Sequence, residues 1–558
     1  MMVEKAVSTE TTLPLREPKT VMRLSRMGSL FPTRLSFLRS LLRKLAADGV
    51  QLSWPVFDMN NQGHGNAVVT LDLDGHAYSL IAFSDPLDDS ARTDRVIATA
   101  WDACFVLFDG VPTADDITHL RRHATKQEAG HYDERVLVLS RANRSVRLFE
   151  HVADALAAGR QPDEAMVQAV GYLMRTTAVY GNGKFGIADR HVIRDRPGLA
   201  HPFRIEMLTV YLIREFTLKL VEHVARARGG TKATVLSAAL KRRFGIGNST
   251  GLGMAPFLVS HPVLIHNWMQ ARETALARVR ATPGTVETIA HFRTLLGRSH
   301  THLAGWNVDD KGEQARIENL RLEWASFCQN LEEHLTAPMP WNSMIEASGD
   351  FSEDVQEFLV ALVLEPHGAM IDDLCETMED RAKPAMDPRM TVSRLTHLLN
   401  THYDWALKTN LSDPDARAMV WYVSEDKAEP RFGQRPADSA DHREMPHHIV
   451  HMVQDLAAAI ENYPPQTTLA EFMLAHPQHR HIIRRVQTVA LHPYGEIRDN
   501  LVAAKVRPID LLRCKLSFFG ASNFDPRSDR WTRITLFKGA PTADELTVEN
   551  AGDVFLPA

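Results

Sequence analysis

The sequence predicts a mainly α protein of the α+β kind: a large helical body, a small N-terminal α/β region containing a β-hairpin, and a short C-terminal β segment. Three observations carry this. From Asn143 to Leu512 most stretches repeat apolar residues at helical spacing. The clearest β pattern, "NAVVTLDL" and "HAYSLIAF" around Asp74-Gly75, lies near the N-terminus, and Asp-Gly between alternating runs is a type I′ hairpin signature. The end of the chain, "LSFFGASNFDPRSDRWTRITLF", reads as strand, turn, strand.

The elements follow in order. Residues 1–20 read as a flexible tail. "TRLSFLRSLLRKLAADG" reads as a basic amphipathic helix, with Leu35, Leu38, Leu41, Leu42 and Leu45 in one stripe and Arg34, Arg39, Arg43 and Lys44 mostly outside it. Such a stripe packs on its own domain, or anchors the chain to an anionic surface or a partner. "RVLVLS" at Arg135 adds a strand, and "RVIATAWDACFVLFDG" before it reads as helix. Helices are then expected over "SVRLFEHVADALAAG", "DEAMVQAVGYLMRTTAVYG", the Ile205 run, "TVETIAHFRTLLG" and "ARIENLRLEWASFCQNLEEHL". The implied domains are a tail (1–20), an N-terminal helix plus α/β region (21–142), a helical domain (143–345), a second helical block (346–515) and a C-terminal β segment (516–558).

Composition narrows the function classes. The 558 residues are 44% hydrophobic and 24% charged, ordinary globular usage. A formal net charge of −6 argues against a dominant nucleic-acid-binding face. The four cysteines, Cys104, Cys328, Cys375 and Cys514, form no CxxC pair, which points to a reducing, cytoplasmic compartment. The first twenty residues lack an apolar core, so no secretory signal is expected. "IEMLTVYLIREFTLKLVEHVA" has the length of a membrane span, but Arg214, Glu215, Lys219 and Glu222 interrupt it; a buried core helix is expected instead.

Two glycine-rich stretches carry the functional expectation. "GIGNSTGLGMAP" (245–256) reads as a loop in which glycines expose backbone NH groups beside Asn248, Ser249 and Thr250, with Ala255-Pro256 opening a helix. "YGNGKFGIADRH" (180–191) holds Tyr180, Lys184, Asp189, Arg190 and His191. If the two converge at helix ends, Lys184, Arg190, Asn248, Ser249 and Thr250 bind an anionic substrate, and Tyr180 and His191 transfer protons.

The spacing of Gly247, Gly251 and Gly253 resembles the phosphate loop of short-chain dehydrogenases. In that family the loop follows a buried strand, whereas "TKATVLSAALKRRF" here reads as helix, so NAD(P) is not expected. "YGNGKFG" followed by "STGLGMAP" resembles, in order, the two active loops of the aromatic amino-acid ammonia-lyases. The resemblance implies a catalytic role for Tyr180 and a self-made electrophile at Ser249. Asn248-Ser249-Thr250 departs from the Ala-Ser-Gly triplet that cyclises there, so no electrophile is expected.

Histidine pairs offer a metal alternative. His300 and His302 in "GRSHTHLAGW" would share a face on a strand, and His447 and His451 in "EMPHHIVHMVQDL" lie one helical turn apart. Neither pair has an identifiable third ligand, so no metal is assigned and a divalent metal stays the alternative. "HPQHRHIIRRVQ" reads as a basic helix, and "HPYGEIRDN" adds His492, Tyr494, Glu496 and Arg498 without decisive spacing. The expected function is a cytosolic enzyme acting on a small anionic metabolite by acid–base chemistry, a lyase being the nearest class, with no cofactor, no nucleic acid and no membrane span. The alternatives are a metal-dependent oxygenase or hydrolase using the histidine pairs, and a non-catalytic scaffold whose loops form a homo-oligomer.

Overall fold

A computed structural model describes residues 13–28, 33–91, 101–123, 134–176, 195–201, 203–250, 261–307, 311–378, 386–412, 420–423, 430–433, 443–444, 447–498, 513–514, 517, 520, 523–526 and 532–552. For 248–250, 313, 376, 420–423, 430–433, 443–444, 447–448, 523–526 and 532–533 the description is of the backbone alone. The chain divides into two compact units, each made of two separate stretches: Phe31–Met254 with Lys515–Ala558, and Met1–Leu30 with Ala255–Cys514.

The first unit is built on seven strands, β1 (Ser53–Met59), β2 (Gly65–Leu73), β3 (His76–Ser84), β4 (Ala103–Asp109), β5 (Val136–Arg144), β6 (Tyr172–Thr176) and β7 (Gly245–Thr250). After the second unit's short strands β8 (Val420–Val423), β9 (Pro430–Gly433) and β10 (Arg443–Glu444), the chain returns with β11 (Asn523–Pro526) and β12 (Thr532–Leu536). The first unit's strands form one nine-stranded sheet, β1-β2-β3-β4-β5-β6-β7-β12-β11. This overturns the expected fold class. The N-terminal β region is not small, and the C-terminal β segment is not separate: β12 pairs antiparallel with β7, Ile534 opposite Asn248. All described neighbours are antiparallel except β6 and β7, which run parallel with Arg175 opposite Gly247.

Three strands account for the correction. β4, "ACFVLFD", is continuously apolar and buried on both faces, so it lacks the alternation that marks a strand. β6 follows a short helix that ends at Gly171, whose φ of 73° stops it with a left-handed residue; the sequence pattern runs straight through that glycine. β7 contains two glycines, poor strand formers, and was expected to be a loop. The Asp74-Gly75 hairpin is as expected, with φ of 53° and 75° at the two turn residues.

Among the described residues six α-helices complete this unit: α1 (Phe37–Ala47), α2 (Ala114–His123), α3 (Phe149–Ala157), α4 (Glu164–Val170), α5 (Arg204–Gly229) and α6 (Ala238–Arg243). α5 lies on one sheet face, with Phe216 edge-on to Phe105 at 5.6 Å and Thr217 Oγ1 3.6 Å from Met174 Sδ. Its Arg214 is buried and donates to the carbonyls of Phe244 (2.7 Å), Ala540 (2.7 Å) and Pro541 (2.9 Å), which is how a core helix accommodates a charge. Among the described residues no helix is long and apolar enough to cross a membrane. The opposite face holds a core of Val68, Ile81, Phe83, Val106, Phe108 and Val136, capped by Leu120 of α2. The leucine stripe of α1 is buried within the same unit.

The second unit is helical. Its longer helices are α7 (Pro262–Arg280), α8 (Val286–Gly305), α9 (Lys311–Gln329), α10 (Glu353–Leu364), α11 (Val392–His402), α12 (His447–Ile460) and α13 (Arg480–Leu491). Part of the expected flexible tail is tied down here. Arg16 places its guanidinium between Glu273 of α7 (Nε 2.8 Å) and Glu357 of α10 (Nη1 2.9 Å), two carboxylates with 0% and 1% side-chain exposure. Arg26 and Arg272 reach the same pair. A polar tail with one arginine reads as solvated until that arginine's buried acidic partners, some 250 to 340 positions away along the chain, are known.

Candidate functional site

The parallel pair β6/β7 is the point where the sheet changes direction of pairing. Both strands leave the sheet in the same sense, at Thr176 and Thr250, and ligands of open sheets gather beyond the carboxyl ends of parallel strands. The pair is close because β7 begins with glycines. A Cβ on Gly247 would lie 2.7 Å from Cγ and Cδ1 of the Tyr172 ring, and one on Gly245 would lie 2.2 Å from the Leu536 carbonyl oxygen. The Tyr172 ring therefore lies across β7 at the level of Arg175.

Alternation along the strands puts a polar set on that face. Arg141 and Asn143 of β5 pair with Cys104 and Arg175, so Arg141, Asn143, Arg175 and the Gly247 position share one side. Arg175 is only 8% exposed and Tyr172 3%. The Tyr172 hydroxyl is buried with no hydrogen-bond partner among the described residues. On the other side Thr176 Oγ1 meets Ser140 Oγ at 2.6 Å and donates to the Arg141 carbonyl at 3.0 Å.

β5 extends over Val136–Arg141 beyond its last pairing with β6 at Ala142. The chain that leaves at Thr176 is next described at residue 195, where Arg196 sits at the far end of β4. Its Nε donates to Asp109 at 2.6 Å, and the Tyr78 hydroxyl donates to the Pro197 carbonyl at 2.8 Å. The other Asp109 oxygen lies 2.5 Å from His76 Nε2. Burial alone would raise the Asp109 carboxyl, but the hydrogen bonds and charges of Arg196 and His76 hold it below the usual carboxylate range. An ionised Asp109 fixes the His76 ring, the arrangement by which a carboxylate orients an acid–base histidine.

Comparison with protein-family models, with curated proteins and with solved structures finds no match.

The sequence candidates distribute as follows. Tyr180, Lys184, Arg190 and His191 lie outside the described residues, as do 251–260. Asn248, Ser249 and Thr250 are not in a loop: their backbone is the end of β7, opposite Ile534, Arg533 and Thr532. The stretch before the motif, read as helix, is helical over Ala238–Arg243. Gly247 sits mid-strand against Tyr172, and Gly251 and Gly253 lie outside the described residues. His300 and His302 are on α8, not on a strand, and two positions along a helix turn by about 200°, onto different sides. His447 and His451 do share a turn of α12. Among the described residues no group of three or more His, Cys, Asp or Glu is placed to hold a metal ion.

Tyr172, Arg175, His76, Asp109 and Arg196 were missed by the sequence. Tyr172 and Arg175 were absorbed into an expected helix, and His76 opened an expected strand without a visible partner. Burial pushes the Cys104 and Cys328 thiols up to about 12, so neither is a thiolate nucleophile near neutrality.

Proposed function

We propose that the protein is an enzyme acting on a small anionic metabolite, a carboxylate or phosphate, by proton transfer at the carboxyl end of the β6/β7 pair, with elimination the nearest reaction class. The observation that carries this is the parallel pairing of β6 with β7. It sends the chain into both glycine-rich stretches from neighbouring strands and in the same direction. Tyr180 and Lys184 follow Thr176 by four and eight residues, a reach of at most about 14 and 29 Å of extended chain. In this reading Lys184 and Arg190 bind the anion beside the backbone of Asn248, Ser249 and Thr250, and Tyr180 and His191 move protons. The carboxylate-held His76 supports it as a further acid–base group at the end to which the chain returns. None of the four cysteines is in a disulfide, which fits a reducing, cytoplasmic compartment.

The test is Lys184→Met. Wild-type protein should gain thermal stability in millimolar inorganic phosphate or malonate, and the variant should lose that gain while its own melting temperature stays within a few degrees of wild type. A variant that unfolds early yet keeps the full anion-dependent gain would mean that Lys184 is structural.

A further inference from the structure

We propose that Tyr172 and Arg175 form the floor of an oxyanion site on the sheet face over Gly247, taking the phosphate or carboxylate group of the ligand. This deepens the anion reading above and rests on it. Three observations converge. Gly247 has no side chain, and the Tyr172 ring uses that space: a Cβ there would come within 2.9 Å of three ring carbons. β6 and β7 are registered so that Arg175 stands opposite the same glycine, which puts this buried arginine on the sheet face that the ring occupies. The Tyr172 hydroxyl, in a residue 97% removed from solvent, has no acceptor among the described residues.

Buried hydroxyls are almost always bonded, and each exception calls for a cause, a catalytic role or a bound ion among them. A phenolic O–H donates, so the missing partner is an acceptor. The neighbouring buried cation selects an acceptor that carries negative charge, and the planar guanidinium matches the paired oxygens of a carboxylate or phosphate. Arg141 lies on the same face one strand over and adds positive potential. Tyrosine rather than phenylalanine at 172 is otherwise unfavourable, since the hydroxyl is desolvated without return.

Tyr172→Phe separates the alternatives, because it removes one oxygen and leaves the packing. Protection by inorganic phosphate and by malonate is measured on the full-length protein by thermal shift and by calorimetric titration. For the favoured anion, wild type should be protected, and Tyr172→Phe should bind it about tenfold to a hundredfold more weakly while melting at the same or a higher temperature without ligand. Arg175→Lys, which keeps the charge and loses the fork, should weaken binding as well. Equal protection of wild type and Tyr172→Phe overturns the Tyr172 assignment and leaves the anion reading standing. No protection of wild type by either anion overturns both. A Tyr172→Phe protein that melts several degrees lower means that the hydroxyl bonds within the protein, and likewise overturns the assignment.

Discussion

Replacing Gly247 by alanine should cost stability, and only because of Tyr172. Gly247 has no positive φ, so alanine fits its backbone, and in an ordinary strand the change would be worth about 0.4–1 kcal/mol through the unfolded chain. Here the new methyl would sit 2.7 Å from Cγ and Cδ1 and 2.9 Å from Cδ2 of the ring, roughly an ångström inside van der Waals contact. The ring cannot slide freely, since Tyr172 is buried between β7 and its own strand. Overpacking of this size costs about 1–3 kcal/mol. In a Tyr172→Ala background the clash disappears, and Gly247→Ala should become neutral or stabilising. The coupling energy between the two sites is then about 1–3 kcal/mol. Urea denaturation of wild type, both single variants and the double variant, followed by circular dichroism, measures it. Effects that add within about 0.5 kcal/mol would refute the packing of Tyr172 across β7 and remove the floor of the proposed site.

Two predictions concern the helical unit. Arg16→Met leaves Glu273 and Glu357 buried with one cation fewer, and should destabilise the protein by about 3–5 kcal/mol, read as a lower urea midpoint; a change under about 1 kcal/mol would mean that Arg272 and Arg26 suffice. The same network sets an acid limit. Burial alone would raise the Glu273 carboxyl, but Arg16 and Arg272 hold it down at about 2, against an ordinary value of 4.5. A depressed carboxyl contributes stability that is complete above its unfolded value and is lost as pH falls towards its folded one. Stability should therefore decline between about pH 4.5 and pH 2, and Arg16→Met should flatten that decline, as followed by thermal melts across this range.

How much of this was legible in the sequence depended on where each signal lies. The Asp74-Gly75 hairpin, the α1 stripe, the C-terminal strand pair and the core helix α5 are local patterns, and each reads correctly from its own residues. The centre of the sheet does not. β4 has no polar alternation because both its faces are covered, and β6 and β7 are strands because of their neighbours in the sheet: Gly245 and Gly247 weaken a strand in isolation and make room there for the Tyr172 ring and the Leu536 carbonyl. The candidate site inherits that limit. Chain order shows two glycine-rich stretches some 60 residues apart, and only the parallel register of β6 with β7 gives them a common origin. His76, Asp109 and Arg196 are likewise invisible as a group, because three separate stretches of chain deliver them. The histidine pairs misled for the converse reason: His300 and His302 are close in sequence, and the helix turns them apart.

The central claim is that an anion binds where β6 and β7 end. A crystal structure of the protein soaked in inorganic phosphate tests it most directly. The account predicts a phosphate within hydrogen-bonding distance of Lys184 or Arg190, beyond Thr176 and Thr250, with the stretches 177–194 and 251–260 on the same side of it. Those two stretches departing to opposite faces of the sheet, with no phosphate between them, would contradict it.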